Sequence, residues 1–252
     1  MCACCMAAMP TIWPRPSSRH WGGPWMKRHG WTGALMAFCQ PKERYKRRRG
    51  GMIAIIDYGM GNLHSAAKAF VRLGAEVTVT DRPEVIAAAA KVVLPGVGAF
   101  GDCMRNLRRA GLVDVIREVI ARGVPFLGIC VGLQMLFEGS EEDPGVPGLG
   151  VFPGMVRRLA APGLKVPHMG WNSLELRQFS PLFQNLPKAA YVYFVHSYHA
   201  VPDEASLVTA VTDYGGTVTA AVGRGNVQAV QFHPEKSGAV GLSILANFKE
   251  MV

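Results

Sequence analysis

The sequence predicts an α/β fold, a doubly wound and mostly parallel sheet flanked by helices, with antiparallel strands added in its second half. Three observations predict it. Between residues 52 and 130, short apolar runs alternate with amphipathic stretches in a strand–helix rhythm. Beyond residue 150 the chain becomes rich in β-branched and aromatic residues, cut by glycine-containing turns. Two segments that carry reactive side chains, around Cys130 and His233, each stand at the end of a strand-like run.

Residues 52–57, Met-Ile-Ala-Ile-Ile-Asp, form a continuous apolar run, as a strand buried on both faces of a parallel sheet requires. Gly59 and Gly61 punctuate a turn. Residues 63–73 then read as a helix with Leu63, Ala66, Ala67, Phe70 and Leu73 on one face, ended by Gly74. Val77 to Thr80 is a second strand, Pro83 opens a short helix, and Lys91 to Leu94 is a third strand running into Pro95-Gly96-Val97-Gly98. Residues 102–122 read as helix broken near Gly111, and Pro125 to Ile129 is a fourth strand that meets Cys130. The second half offers strands at 151–159, 171–177, 191–195, 206–212, 217–222 and 227–232, and a closing helix at 238–251.

Charge divides the chain. Residues 1–51 hold ten Lys or Arg and one acid, which accounts for the whole net charge of +9; residues 52–252 hold 17 bases and 17 acids. A nucleic-acid role would therefore rest on the front segment alone. That segment also holds four of the five tryptophans and four of the six cysteines, without a period of 3.6 or 2. Four readings of it stand open: a non-native start upstream of Met52, a disordered basic tail, a targeting peptide, or zinc binding by Cys2, Cys4 and Cys5. The body, 52–252, is read as one domain. Its two cysteines, Cys103 and Cys130, fit a reducing compartment, the cytoplasm. No run approaches the ~18 apolar residues of a membrane span.

The chemistry gathers at two places. Around Gly128-Ile-Cys-Val-Gly-Leu-Gln134 an apolar strand meets a cysteine and a helix follows at once. A residue on such a turn projects above the sheet. The positive end of the following helix favours the thiolate, and the backbone N–H of Val131 can meet a developing oxyanion. Cys103 lacks this setting and reads as a buried structural cysteine. In Gln231-Phe-His-Pro-Glu-Lys-Ser237, His233 ends a strand and Glu235 follows a proline. A thiol needs an imidazole to move its proton, and the imidazole needs a carboxylate to fix its tautomer. Cys130, His233 and Glu235 are therefore the expected catalytic residues, provided the two strands join one sheet. The histidine–proline–glutamate run also has a plainer reading as a polar turn.

These two segments resemble the class I glutamine amidotransferases, and the resemblance covers almost all of 52–252. Four further segments resemble one branch of them, the glutaminase subunits of imidazole glycerol phosphate synthases: Asp57-Tyr-Gly-Met-Gly-Asn62, Leu94-Pro-Gly-Val-Gly-Ala-Phe100, Pro167-His-Met-Gly-Trp-Asn172 and Tyr193-Phe-Val-His-Ser-Tyr198. The resemblance implies hydrolysis of L-glutamine through a cysteinyl thioester, without cofactor or metal. It implies that the Val97 and Gly98 loop faces Val131 across an oxyanion hole. Gln134, Glu142, Ser197 and Tyr198 would contact glutamine. Ammonia would pass to a barrel-shaped cyclase subunit in histidine biosynthesis, with Asn62, Trp171 and Lys236 at the subunit interface. Position 131 is commonly leucine in the class and is valine here, a change that spares the backbone N–H. Two other readings remain: a glutaminase serving another amidotransferase, such as pyridoxal phosphate synthase, or a non-catalytic binding subunit of the same fold.

Overall fold

The computed structural model describes residues 51–252. The readings of the basic front segment lie outside the described residues, Gly51 apart.

The strands of the first half become one side of an eight-stranded sheet. In chain order the elements are β1 (Ile53–Ile56), α1 (Leu63–Arg72), β2 (Val77–Thr80), α2 (Pro83–Ala88), β3 (Lys91–Gly96), α3 (Phe100–Arg109), α4 (Val113–Ala121), β4 (Phe126–Cys130) and α5 (Val131–Gln134). There follow β5 (Gly139–Ser140), β6 (Gly154–Arg158), β7 (His168–Ser173), β8 (Glu175–Leu176), β9 (Tyr191–His196), β10 (Tyr198–Pro202), β11 (Val208–Asp213), β12 (Thr217–Arg224), β13 (Val227–Val230) and α6 (Gly238–Glu250). The large sheet runs β2-β1-β3-β4-β13-β12-β11-β8. Its first five strands are parallel and the last three are added antiparallel. β10-β6-β5 and β7-β9 form two smaller sheets.

Burial explains the order. All residues of β1, β3, β4 and β13 are buried, as strands covered on both faces must be. Helices supply the cover: α1 packs against α6, and α2 against α4. The buried residues of α1 are Ala66, Ala69 and Phe70, and Phe70 meets Phe248 of α6 at a ring-centroid distance of 6.0 Å. Gly74 takes φ +71° after α1, the left-handed turn that a glycine stop supplies.

Several expectations move at their edges. β3 extends two residues beyond Leu94, through Pro95 to Gly96, because its register with β4 continues to Gly96↔Cys130. The strand expected at 171–177 begins at His168, breaks after Ser173 and resumes as β8. β10 was absent from the sequence reading: Tyr-His-Ala-Val-Pro has no clean alternation, and pairing with β6 makes it a strand. The helix after Cys130 is a single turn of four residues. Only the N–H groups of that one turn are there to favour a thiolate at Cys130.

Candidate active site

Cys130 closes β4 with φ +56° and ψ −113°, a backbone state that non-glycine residues rarely adopt. The turn is held by backbone-on-backbone packing that only glycine permits. A Cβ on Gly132 would lie 1.9 Å from the Leu94 carbonyl oxygen, and one on Gly96 would lie 2.7 Å from the Gly132 nitrogen. The end of β3 therefore lies directly against the turn after Cys130, and the Val97-Gly98 loop emerges beside Val131. Gly98 takes φ +90°.

The two halves of the site meet because β13 is the next strand to β4 in the sheet. Val230 is in register with Ile129, so Cys130 and Gln231 stand side by side although 101 residues separate them. Gln231 Nε2 is 3.7 Å from Cys130 Sγ. Two residues on, His233 is held from behind. Its N–H donates to the Tyr193 carbonyl at 3.0 Å, and its carbonyl accepts from Ser237 Oγ at 2.6 Å. His233 Nδ1 lies 2.8 Å from Glu235 Oε1, in a pair whose side chains are 3% and 2% exposed. Nε2 is left for the thiol. Burial pulls the His233 pKa down, but the adjoining Cys130 thiol and Glu235 carboxylate more than reverse this and hold it at about 10. Among the described residues Glu235 Oε2 is buried without a hydrogen-bond partner, and its other oxygen is turned to the imidazole.

Cys130 and His233 line a cavity of about 310 Å³, at the small end of the range for ligand sites. Seven further residues singled out from the sequence line it with them: Val97, Gly98, Val131, Gln134, Glu142, Ser197 and Tyr198. Glu235 sits behind His233 and off the wall. Gln134 Nε2 donates to the Tyr198 carbonyl and to Gln231 Oε1, both at 3.0 Å. Glu142 Oε2 accepts the Phe100 N–H at 2.8 Å, which ties the cavity wall to the start of α3. The expected interface residues lie off the cavity. Trp171 is 56% exposed on β7, Lys236 is exposed beside the triad, and Asn62 is half-buried at the start of α1.

Four residues make contacts at the site that the sequence does not assign to them. Gln231 bridges Cys130 and Gln134; it belongs to the histidine segment, whose spacing could have exposed it. Tyr58 donates from its hydroxyl to the Pro95 carbonyl at 2.9 Å and holds the end of β3; burial raises its pKa. His196 lines the cavity and contacts His168. Cys103 is buried as expected, with its pKa pushed up to about 11 mainly by burial, but its Sγ also donates to the Val97 carbonyl at 3.3 Å. No spacing in the sequence connects Cys103 to that loop.

A cysteine on a strained strand end, an imidazole–carboxylate pair just beyond the end of the adjacent strand and a glycine-containing loop beside them form an arrangement suited to nucleophilic catalysis by a thiol. The class-I glutamine amidotransferase family matches residues 54–251, and the chain belongs to that family. Among its relatives is the imidazole glycerol phosphate synthase subunit HisH of Thermosynechococcus vestitus, 58% identical over 203 residues, which span 79% of this chain and 97% of the relative. The same subunit of Syntrophotalea carbinolica is 54% identical over 208 residues, 79% of this chain and all of the relative. These identities place the chain in the HisH branch of the family. A solved structure described as a glutamine amidotransferase shares the fold, with a TM-score of 0.63 at 22% identity, covering 79% of this chain and 99% of its own.

Proposed function

We infer that this chain is the glutaminase subunit of an imidazole glycerol phosphate synthase, hydrolysing glutamine to glutamate and ammonia and delivering the ammonia to a cyclase subunit. The observation that carries the chemistry is the Cys130–His233–Glu235 arrangement at the mouths of two adjacent parallel strands. The identity of 58% to a HisH chain over nearly its full length supports the particular enzyme.

In this reading the Cys130 proton already rests on His233, whose pKa of about 10 keeps the ring protonated near neutral pH, and the thiolate attacks the side-chain amide carbon of glutamine. The amide oxygen becomes an oxyanion against the Val131 N–H and the Val97-Gly98 loop. The imidazolium returns its proton to the amide nitrogen, the carbon–nitrogen bond breaks, and ammonia leaves a cysteinyl thioester. Water then gives a proton to His233 as it attacks the thioester. The second oxyanion collapses, glutamate departs, and the thiolate is left beside the imidazolium as at the start. Glu235 keeps the Nδ1–H tautomer, so that Nε2 faces the sulfur throughout. The amino-acid end of glutamine is assigned to Gln134, Glu142 and the Ser197-Tyr198 backbone.

Ammonia that leaves this site needs a covered path. Asn62, Trp171 and Lys236 are proposed to face the barrel-shaped cyclase that receives it. The test is glutamate release by the purified chain, alone and with the cyclase subunit, for wild type and Cys130→Ala on matched preparations. Cys130→Ala should lose turnover by many powers of ten. It should still form the complex and leave ammonia-dependent synthesis by the cyclase intact. Retained turnover in Cys130→Ala overturns the nucleophile assignment, and failure to bind a cyclase subunit overturns the subunit assignment.

A further inference from the structure

We propose that His168 and His196 are positioning residues for the glutamine pocket, the inner links of a one-way hydrogen-bond chain from Asn172 to the Tyr198 carbonyl. The proposal rests on the glutaminase reading above, because it takes the Ser197-Tyr198 wall as the place where glutamine is held.

The register of β7 on β9 sets His168 directly opposite His196. His168 Nδ1 lies 3.1 Å from His196 Nε2, and His196 Nδ1 lies 2.9 Å from the Tyr198 carbonyl oxygen. Asn172 Nδ2 lies 3.4 Å from His168 Nε2, the longest link, and 2.8 Å from the Asp213 carbonyl. A carbonyl only accepts, so the His196 proton must sit on Nδ1. A neutral imidazole has one N–H, so His196 Nε2 accepts and His168 Nδ1 donates. His168 Nε2 is then an acceptor, and the Asn172 amide is a donor. Every direction in the chain follows from its two ends. Burial keeps both rings neutral, with His168 pulled down to about 4 and His196 to about 3. His168 is further fixed between the rings of Tyr214 and Phe194, at centroid distances of 3.9 and 4.6 Å.

The far end of the chain is what gives it a use. The Tyr198 carbonyl accepts from His196 Nδ1 and also from Gln134 Nε2, which in turn reaches Gln231 and, through it, the sulfur of Cys130. Two donors thus hold one carbonyl in the wall of the cavity. Losing the His196 donor frees that wall and strands the His168 N–H in a buried site. The reacting atoms are untouched, so substrate binding should suffer more than the chemical step.

Two measurements decide the matter. In 15N NMR of histidine-labelled protein between pH 6 and 8, both rings should carry their proton on Nδ1 alone; an Nε2–H form of either ring overturns the chain. In the complex with the cyclase subunit, His196→Ala should raise the KM for glutamine at least tenfold with kcat within threefold. His196→Asn, which restores a donor at the Nδ1 position, should return KM to within threefold of wild type. A folded His196→Ala with wild-type KM, or a His196→Asn no better than alanine, overturns the positioning role. If His196→Ala does not fold, His168→Asn takes its place: it keeps the donor to His196 and should leave KM within threefold, and a tenfold rise would overturn the proposal. A wild-type complex that releases no glutamate from glutamine would instead overturn the functional reading and leave the NMR result to judge the chain.

Discussion

Replacing Gly132 by alanine should damage catalysis far more than its size suggests. The new Cβ would lie 1.9 Å from the Leu94 carbonyl oxygen and 3.0 Å from its carbon, both backbone atoms of β3. No side chain can rotate to make room. Restoring ordinary contact requires β3 and the turn after Cys130 to part by roughly 1.5 Å. Overpacking of this kind costs about 1–3 kcal/mol. At about 2–4 °C per kcal/mol for a domain of this size, the thermal midpoint should fall by roughly 2–12 °C. The displacement acts on Val131 and on the Val97-Gly98 loop, the two sides assigned to the oxyanion. A misplacement of about 1 Å there corresponds to about a hundredfold loss of kcat. Gly123→Ala is the control. Gly123 has φ +79° and open space around the Cβ position, at the opposite end of β4 from Cys130. Its substitution should cost about 1–2 kcal/mol of backbone strain and leave kcat unchanged. The assays are calorimetric midpoints and single-turnover glutamate release in the complex. A folded Gly132→Ala with kcat within threefold of wild type would refute the reasoning, because β3 would then not be fixing the oxyanion geometry.

Glu235→Gln should lower kcat by about 10²–10⁴-fold while leaving the fold, since an amide no longer fixes the ring tautomer of His233 or stabilises its cation; unchanged kcat would remove Glu235 from the triad. His233 has a folded-state pKa raised from 6.5 to about 10. Its protonation therefore contributes stability that is complete below about pH 6.5 and is lost as pH rises through about 10. NMR titration should show the ring still protonated at pH 8, and in Cys130→Ala the midpoint should drop because the thiol's contribution is gone; identical midpoints would count against the contact. Lys236→Ala should raise the ratio of ammonia released to cyclase product in the assembled enzyme, with the stability of the isolated chain changed by only about 0–1 kcal/mol, as for an exposed lysine. If both the ratio and the partner affinity stay at wild-type values, Lys236 is not at the interface. A chain beginning at Met52 should match the full chain in midpoint and turnover, since residues 52–252 are balanced in charge and the family match runs from 54 to 251; a clear loss would assign the front segment a role in the fold.

The sequence alone carried the first half of the sheet to within a residue or two. Strands β1 and β4 are apolar and wholly buried and the helices amphipathic, so local pattern and burial agree there, while the edge strand β2, Val-Thr-Val-Thr, is only partly buried. The pattern was weaker after residue 150, where strands such as β8 and β10 are made by their partners rather than by their own residues. The candidate nucleophile and the imidazole–carboxylate pair are legible because each lies in one short segment whose chemistry is local. The contacts of Gln231 with Cys130 and of Tyr58 with Pro95 are made across the fold, 101 and 37 residues apart in the chain, and no local pattern marks them.

What the sequence determined by itself is the inventory: a cysteine after an apolar strand, a histidine and glutamate after another, and glycines where side chains cannot fit. Only the tertiary structure decided that β13 lies next to β4, which sets Gln231 beside Cys130 and brings His233 to the same cavity. It also decided that the helix after Cys130 is one turn long and that His168 meets His196. The physical reason is that strand pairing is non-local. Which apolar run pairs with which depends on how all of them share the core, and the turn at Cys130 has its shape because β3 presses the Leu94 carbonyl against Gly132.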